Sequence, residues 1–272
     1  MAYVSNEQLA EVFADTEKVY KSDETLKRAI QNSIAGNIFY GAEISPPLPA
    51  KKFSATKITV NKLRTFEAAF EVRKKNPAAK IAVHNFASAT TPGGGVVKGS
   101  HAQEEALCRC STLYPALNTD ENWIRYYKFH RDRRDSIYTD ACIFSPDVIV
   151  FKSDTDIPEF LPPKNWLTVD VITCAAPNLR FTQISNDELL ELHEKRIQHF
   201  LTVAAYHGAE IFITGAFGCC AFKNNPRIVA QAFKNILPEF DGAFKEIIFA
   251  VYCPPRDAQN FDVFKKVLPN GN

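Results

Sequence analysis

From residue 57 onward, apolar segments of strand length alternate with longer amphipathic ones, and this alternation restricts the fold more than anything else in the chain. Residues 57–60 read as a strand and 63–74 as a helix. A strand at 80–84 runs into a glycine-rich loop, and a helix follows from His101. Another helical stretch covers 120–129; strands follow at 141–144, 148–151 and 166–174. A long helix at 185–206 starts with Ser185 and Glu188 in capping-box spacing. A strand at 210–214, a helix at 226–237 and a last strand at 246–253 complete the series. Strands and helices in this order imply a mostly parallel sheet covered by helices on both faces. Ligands of such sheets bind beyond the carboxyl ends of the strands.

Upstream, residues 7–20 and 25–34 carry Leu9, Val12, Phe13 and Leu26, Ile30 at helical spacing. The connector Pro46-Pro47-Leu48-Pro49 cannot lie inside a helix. Residues 1–50 are therefore expected to form a helical extension packed on a core at 51–272. A length of 272 residues suits one α/β unit with such an extension. A formal charge of +1 supplies no overall field to recruit nucleic acid or an acidic membrane. The start of the chain, Met1 to Glu7, lacks a leader pattern, and no apolar run approaches the ~20 residues of a membrane span. A cytoplasmic protein is expected, or a nuclear one in a eukaryote, with no membrane partner and no direct nucleic-acid binding. The seven cysteines include several in or beside strands and no C-x-x-C, and the histidines form no H-x-x-x-H. Reduced, buried thiols are expected, and no metal.

The chemistry sits in two loops. Pro92-Gly93-Gly94-Gly95 is followed, after seven residues, by Gln103-Glu104-Glu105 at a helix start. Three glycines leave bare backbone and allow conformations closed to other residues. Such a loop opening a helix can hold an anion, and acids delivered there can move protons. A phosphate-bearing substrate cut by a glutamate follows. Gly94 and Gly99 form G-x-x-x-x-G, but Ser100-His101 replaces the Lys-Ser/Thr of a P-loop, and G-x-G-x-x-G is absent at this junction. The second loop runs from Gly215 to Pro226, a proline suited to a first helical turn. Its backbone can form an anion nest, with Phe217 and Phe222 to press on a sugar or base. For Gly215 and Gly218 a plain tight turn is the competing explanation.

Consecutive helical residues point about 100° apart. Glu104 and Glu105 therefore cannot flank one bond as the carboxylates of common glycosidases do. One is expected at the scissile bond, the other on a neighbouring hydroxyl or in solvent. Asn85 and Ser88, just past a strand, suit a ribose hydroxyl or a loop cap. Arg131, Arg133 and Arg134 interleave with Asp132 and Asp135, which reads as a solvated face. Contact with a polymeric anion is the alternative. His101 reads as a surface cap.

These residues resemble the microbial-type poly(ADP-ribose) glycohydrolases of the macrodomain superfamily. The GGG and QEE motifs at their spacing carry the likeness, with Asn85-Phe86-Ala87-Ser88-Ala89, the 215–222 loop and the order of elements. The resemblance covers most of the chain. It implies an α/β, macrodomain-like three-layer sandwich with a mixed central sheet and the N-terminal helical extension. It implies hydrolysis of ribose–ribose O-glycosidic bonds in poly(ADP-ribose), releasing ADP-ribose without a cofactor. Glu105 becomes the acid and Glu104 the holder of a hydroxyl on the adjacent ribose. Asn85, Gly93, Gly94, Gly95, Val96 and Gln103 become substrate-binding around the diphosphate and terminal ribose. Gly215, Phe217, Gly218, Cys219, Cys220, Ala221 and Phe222 become the second diphosphate loop, Phe222 near that ribose. Cys220 departs from the family glycine, and Ser88 stands where many macrodomains have asparagine, so Ser88 receives no catalytic role. A monomer acting on the polymer or on ADP-ribosylated proteins is expected. Two alternatives stay open: removal of single ADP-ribose units from protein or nucleic acid, and an ADP-ribose reader, which would need no Glu104-Glu105 pair.

Overall fold

In the computed structural model, strands and helices alternate along residues 4–43, 45–253 and 258–268, which are the residues described. Met1, Ala2 and Tyr3 of the leader reading, and Ile44 of the connector, lie outside them. The elements run α1 (Asn6–Ser22), α2 (Glu24–Gly36), β1 (Ile38–Tyr40), β2 (Lys57–Asn61), α3 (Thr65–Lys75) and β3 (Ile81–Phe86). There follow α4 (Gln103–Cys110), α5 (Leu113–Leu117), α6 (Asp120–Asn122), α7 (Phe129–Arg133), β4 (Cys142–Val150) and β5 (Leu167–Cys174). Then come α8 (Asn186–Tyr206), β6 (Ile211–Thr214), α9 (Pro226–Ile236), β7 (Glu246–Ala250) and α10 (Gln259–Val267). A π-helical stretch, Trp123–Lys128, joins α6 to α7. Ser185 caps α8 as its spacing predicts, accepting from the Glu188 N–H at 3.2 Å.

The strands form one sheet in the order β1-β4-β5-β3-β6-β7-β2. The five from β5 to β2 are parallel, while β4 pairs antiparallel with both β5 and the edge strand β1, so the sheet is mixed. Side chains alternate between two cores. Ala82, Phe212 and Ile247 face α8, α9 and α10, whereas Ile81, Val83, Ile211 and Ile248 face α3, α4 and Phe13 of α1. Helices on both faces make three layers.

Two expectations change. The segments at 141–144 and 148–151 belong to one strand, β4, irregular between Ser145 and Val148, where Asp147 takes φ 54°. β1, only three residues long, is too short to show an alternation, yet it supplies the edge strand. The N-terminal region packs directly on α4 and on the stretch after β4. Thr16 Oγ1 donates to the Arg109 carbonyl at 2.7 Å, and the buried Lys152 Nζ donates to the Val12 carbonyl at 3.0 Å. Gly99, at φ +72°, packs so tightly on the Asn6 carbonyl that a side chain would overlap it. No described helix is long and apolar enough to cross a membrane.

Candidate active site

β3 and β6 are parallel neighbours, with Val83 opposite Ile213, so the loops that leave their carboxyl ends emerge side by side. Between the loops lies a cleft of about 600 Å3. Gln103, Glu104, Glu105 and Ser88 line one wall, and Gly218, Cys220, Ala221 and Phe222 another.

The first loop is shaped around the carboxylates. Gly93 and Gly94 take φ +65° and +58°, a region that a Cβ disfavours. A Cβ on Gly94 would sit 2.5 Å from Glu105 Oε1 and 3.1 Å from Glu104 Oε2. Both glutamates are buried, at 2% and 7% exposure, so neither faces solvent. The 100° offset of their Cα positions is overcome because both side chains bend back onto the loop, drawn by its N–H groups. Glu104 Oε2 accepts from the Ser88 N–H at 2.7 Å and Oε1 from Asn85 Nδ2 at 3.3 Å. Glu105 Oε1 accepts from the Gly95 N–H at 2.9 Å, while its buried Oε2 has no partner among the described residues. Burial pushes the Glu104 carboxyl well above the usual carboxylate range, and the neighbouring Glu105 charge adds to this.

Several predicted side chains lie behind the cleft. Asn85 is fully buried, its amide shared between Glu104 and Thr173 Oγ1 at 3.2 Å, so it positions a carboxylate from beneath. Gln103 spends its amide on β3 and α3: Oε1 accepts from the Phe86 N–H at 2.9 Å, and Nε2 donates to the His84 carbonyl at 2.7 Å and Thr65 Oγ1 at 3.1 Å. Val96 points into the core. Phe217 is a correction to the expectation of an exposed ring. It is fully buried, its ring centroid 4.6 Å from that of His84, because an apolar ring three residues past β6 is claimed by the core. Gly215 is buried too, where a Cβ would meet the Ala250 carbonyl at 2.5 Å. The Cys219 thiol turns onto the Phe217 carbonyl at 3.6 Å. Cys220 is exposed rather than a buried thiol; Cys108, Cys110, Cys142 and Cys174 are buried. Positive φ in this loop falls on Gly218 (+74°) and Lys223 (+61°), not on Cys220, which explains how that turn accommodates a Cβ there.

The second loop is held from below by Asn224. Its Nδ2 donates to the Pro177, Gly218 and Phe222 carbonyls at 2.8, 3.1 and 3.4 Å, and its Oδ1 faces His193 Nε2 at 2.8 Å. Burial pushes the His193 ring down to about 4, so it is neutral and donates from Nε2. With these carbonyls turned inward, the N–H groups of Gly218, Ala221 and Phe222 have no acceptor among the described residues. His101 is exposed, with Nε2 2.9 Å from Asn6 Oδ1.

Sequence reasoning missed the far end of the cleft. Arg64, Asp154, Asp156 and Tyr252 line it, coming from three separated segments with no local motif. The Arg64 guanidinium pairs with Asp156 and lies 4.0 Å over the Tyr252 ring. Burial pushes the Asp154 carboxyl up to about 6. Among the described residues, no group of three or more His, Cys, Asp or Glu is placed to hold a metal ion.

The family model "Microbial-type PARG, catalytic domain" matches residues 8–153. No curated protein matches the chain. Among solved structures, the poly(ADP-ribose) glycohydrolase of Thermomonospora curvata is similar at 28% identity and TM-score 0.85, over 96% of this chain and 100% of that one. Its complex with the inhibitor ADP-HPD superposes at TM-score 0.84 with 29% identity, over 96% of this chain and 99% of that one. The Deinococcus radiodurans enzyme in complex with ADP-ribose shows 33% identity and TM-score 0.77, over 87% of this chain and 96% of that one. The paired glycine and glutamate motifs lie within the matched residues, and the likeness of fold extends over nearly the whole chain, so the chain belongs to the microbial-type PARG catalytic-domain family.

Proposed function

We infer that this chain, a poly(ADP-ribose) glycohydrolase by family, breaks the ribose–ribose bond with Glu105 as general acid and then base. The observation that carries the reading is the asymmetry of that carboxylate. One oxygen is fixed by the Gly95 N–H, and the other is buried in the cleft wall with no protein partner among the described residues. A buried carboxylate oxygen without a partner costs free energy unless something else meets it. The leaving ribose oxygen, and later a water, would occupy that place.

Burial, with the neighbouring Glu105 charge, raises the Glu104 carboxyl and so favours its protonated form, and both carboxyls lie against Gly94. Glu105 then donates to the departing oxygen as the terminal ribose gains oxocarbenium character, and as carboxylate activates water. Glu104 holds a hydroxyl of the adjacent ribose. The free N–H groups of Gly218, Ala221 and Phe222 suit the diphosphate, and Phe222 the terminal ribose. A cleft of about 600 Å3 is of the size that holds a small ligand. The complexes of the two bacterial relatives with ADP-HPD and ADP-ribose support ADP-ribose as its occupant.

Contacts from α1 to Arg109 and Lys152 support residues 1–50 as an extension of a catalytic core at 51–272. The buried thiols of Cys108, Cys110, Cys142 and Cys174 favour a reducing, intracellular compartment.

The test uses labelled poly(ADP-ribose) with the wild type and Glu105→Gln. Wild type releases ADP-ribose; the variant binds ADP-ribose but turns over about 10³-fold more slowly, within the range for losing a general acid. Near-normal turnover by the variant overturns Glu105 as the acid. Intact polymer with wild type, together with ADP-ribose binding, favours removal of single units or a reader.

A further inference from the structure

The charged run at 131–135 has no part in the chemistry at Glu105, yet it borders a second cleft of about 430 Å3. Arg131, Arg134, Tyr138 and Phe181 line it, together with Thr90, His130, Asp135 and Ser136. This cleft adjoins the first at its acid end. Thr90 lies two residues from Ser88, whose N–H donates to Glu104 at 2.7 Å. The Tyr138 ring stands 6.3 Å from that of Phe222, a residue of the catalytic cleft. Backbone bonds stitch the two together: the Asn178 N–H donates to the Ser136 carbonyl at 2.8 Å, and the Leu179 N–H to the Phe222 carbonyl at 3.0 Å.

The second cleft is cationic and aromatic. Asp132 pairs with Lys128, and Asp135 pairs with Arg133 at 3.4 Å and accepts from the Ile137 N–H at 2.9 Å. The acids of the run are thus engaged by groups other than Arg131 and Arg134. Arg131 is fixed by donating from Nε to the Thr90 carbonyl at 2.6 Å and from Nη2 to Thr91 Oγ1 at 3.2 Å. Arg134 is exposed and has no ion pair among the described residues. Phe181 is 74% exposed, with the Arg180 guanidinium 5.1 Å over its ring. Arg134 and Tyr138 also take φ 53° and 62°. Residues with a Cβ hold this conformation at a cost, and such strain collects where side chains are held for function.

We propose that this second cleft binds the leaving side of the substrate: the pyrophosphate of the penultimate ADP-ribose unit on Arg131 and Arg134, and its base on Tyr138 and Phe181. The proposal rests on the hydrolytic reading above. If the first cleft holds the terminal unit and Glu105 stands at the bond, the rest of the polymer must depart from the acid end. Guanidinium groups suit a pyrophosphate, and aromatic faces suit a base whatever its sequence context.

The test compares two substrates with the same scissile bond: the dimer of ADP-ribose, and ADP-ribose joined to plain adenosine, which lacks the second pyrophosphate. Wild type is expected to show a KM about tenfold lower for the dimer, the scale of one charge-assisted contact. That advantage should shrink at about 1 M salt, where exposed charges are screened. Arg134→Asn, which tolerates the left-handed backbone, should raise the dimer's KM to that of the truncated substrate. Phe181→Ala, at an exposed position where folding is not at risk, should raise the KM of both, because both carry the base. Equal KM values for the two substrates in the wild type overturn the subsite alone. So does an Arg134→Asn variant that weakens both substrates equally together with inhibition by ADP-ribose. Failure of the wild type to cut either substrate overturns the hydrolytic reading, and the subsite falls with it.

Discussion

The two loops leave neighbouring parallel strands and look alike in sequence, yet they are built on opposite plans. In the first, the backbone serves the protein's own acids. N–H groups of Ser88 and Gly95 end on Glu104 and Glu105, and those of Gly94 and Val96 on the Thr91 and Gly93 carbonyls. In the second, a side chain serves the backbone. Asn224 binds three carbonyls, and the N–H groups of Gly218, Ala221 and Phe222 have no acceptor among the described residues. Glycine richness alone suggests an anion nest at both. The hydrogen bonds commit the first loop to the acids and leave the second with N–H groups for the anion that the proposed function puts there.

The strongest way to break this comparison is Gly94→Ala. The new methyl group would demand the place of Glu105 Oε1, 2.5 Å away, in a backbone already at φ +58°. Misplacing a catalytic carboxylate by about 1 Å costs on the order of 10²-fold in rate. We therefore expect kcat for ADP-ribose release to fall by about that factor, with ADP-ribose affinity little changed. A drop in affinity with normal kcat would mean that the first loop holds the anion after all.

Asn224→Ala probes the other plan and should give the reverse pattern. It removes the side-chain donor to the Pro177 carbonyl and the acceptor of the Nε2–H of the neutral, buried His193. The Gly218 and Phe222 carbonyls keep only the Asn224 and Leu179 N–H groups. Losing such a buried network costs about 1–3 kcal/mol of stability. The loosened loop should weaken ADP-ribose binding roughly tenfold, a difference of about 1.4 kcal/mol. Calorimetric titration with ADP-ribose, set beside kcat at saturating polymer, separates the two quantities. A loss confined to kcat would erase the distinction between the loops.

Much of this is legible in the chain because the signals are local. The Ser185–Glu188 cap, the strand into Gly93 and the two helical runs before Pro46 each lie within a few residues of what they specify. The convergence of Glu104 and Glu105 is less legible, since helical angle describes Cα positions, whereas the N–H groups of a folded loop decide where three-carbon side chains end. Phe217 misleads for a related reason: its place in a loop suggests exposure, but the space beside His84 and Phe200 belongs to the core. Arg64, Asp154, Asp156 and Tyr252 give no sequence signal as a group, because only the packing of α3 and β7 against the stretch after β4 brings them together.

Asp154 offers the smallest and sharpest test on the first loop's side. Its Oδ2 accepts from the Phe66 N–H at 2.9 Å in the first turn of α3, and Thr65 beside it holds Gln103 at 3.1 Å. Burial raises its carboxyl to about 6, so the folded state binds this proton more tightly than the unfolded chain does. Its contribution to stability is therefore full below about pH 4 and lost as pH rises through 6, a swing of about 2–3 kcal/mol from this group. Asp154→Asn keeps an acceptor for the Phe66 N–H and removes the titration. The variant should match the wild type at pH 4 and exceed it by pH 7.5, by a few degrees in Tm for a chain of this length. Its kcat should change less than twofold on the order of a remote site, because no carboxylate over Gly94 moves. A carboxylate retained against its own stability cost, at the far wall of the cleft, is most simply kept for what it meets there. A Tm advantage at pH 7.5 with weakened ADP-ribose binding would place Asp154 with the second loop, among the groups that hold rather than cut.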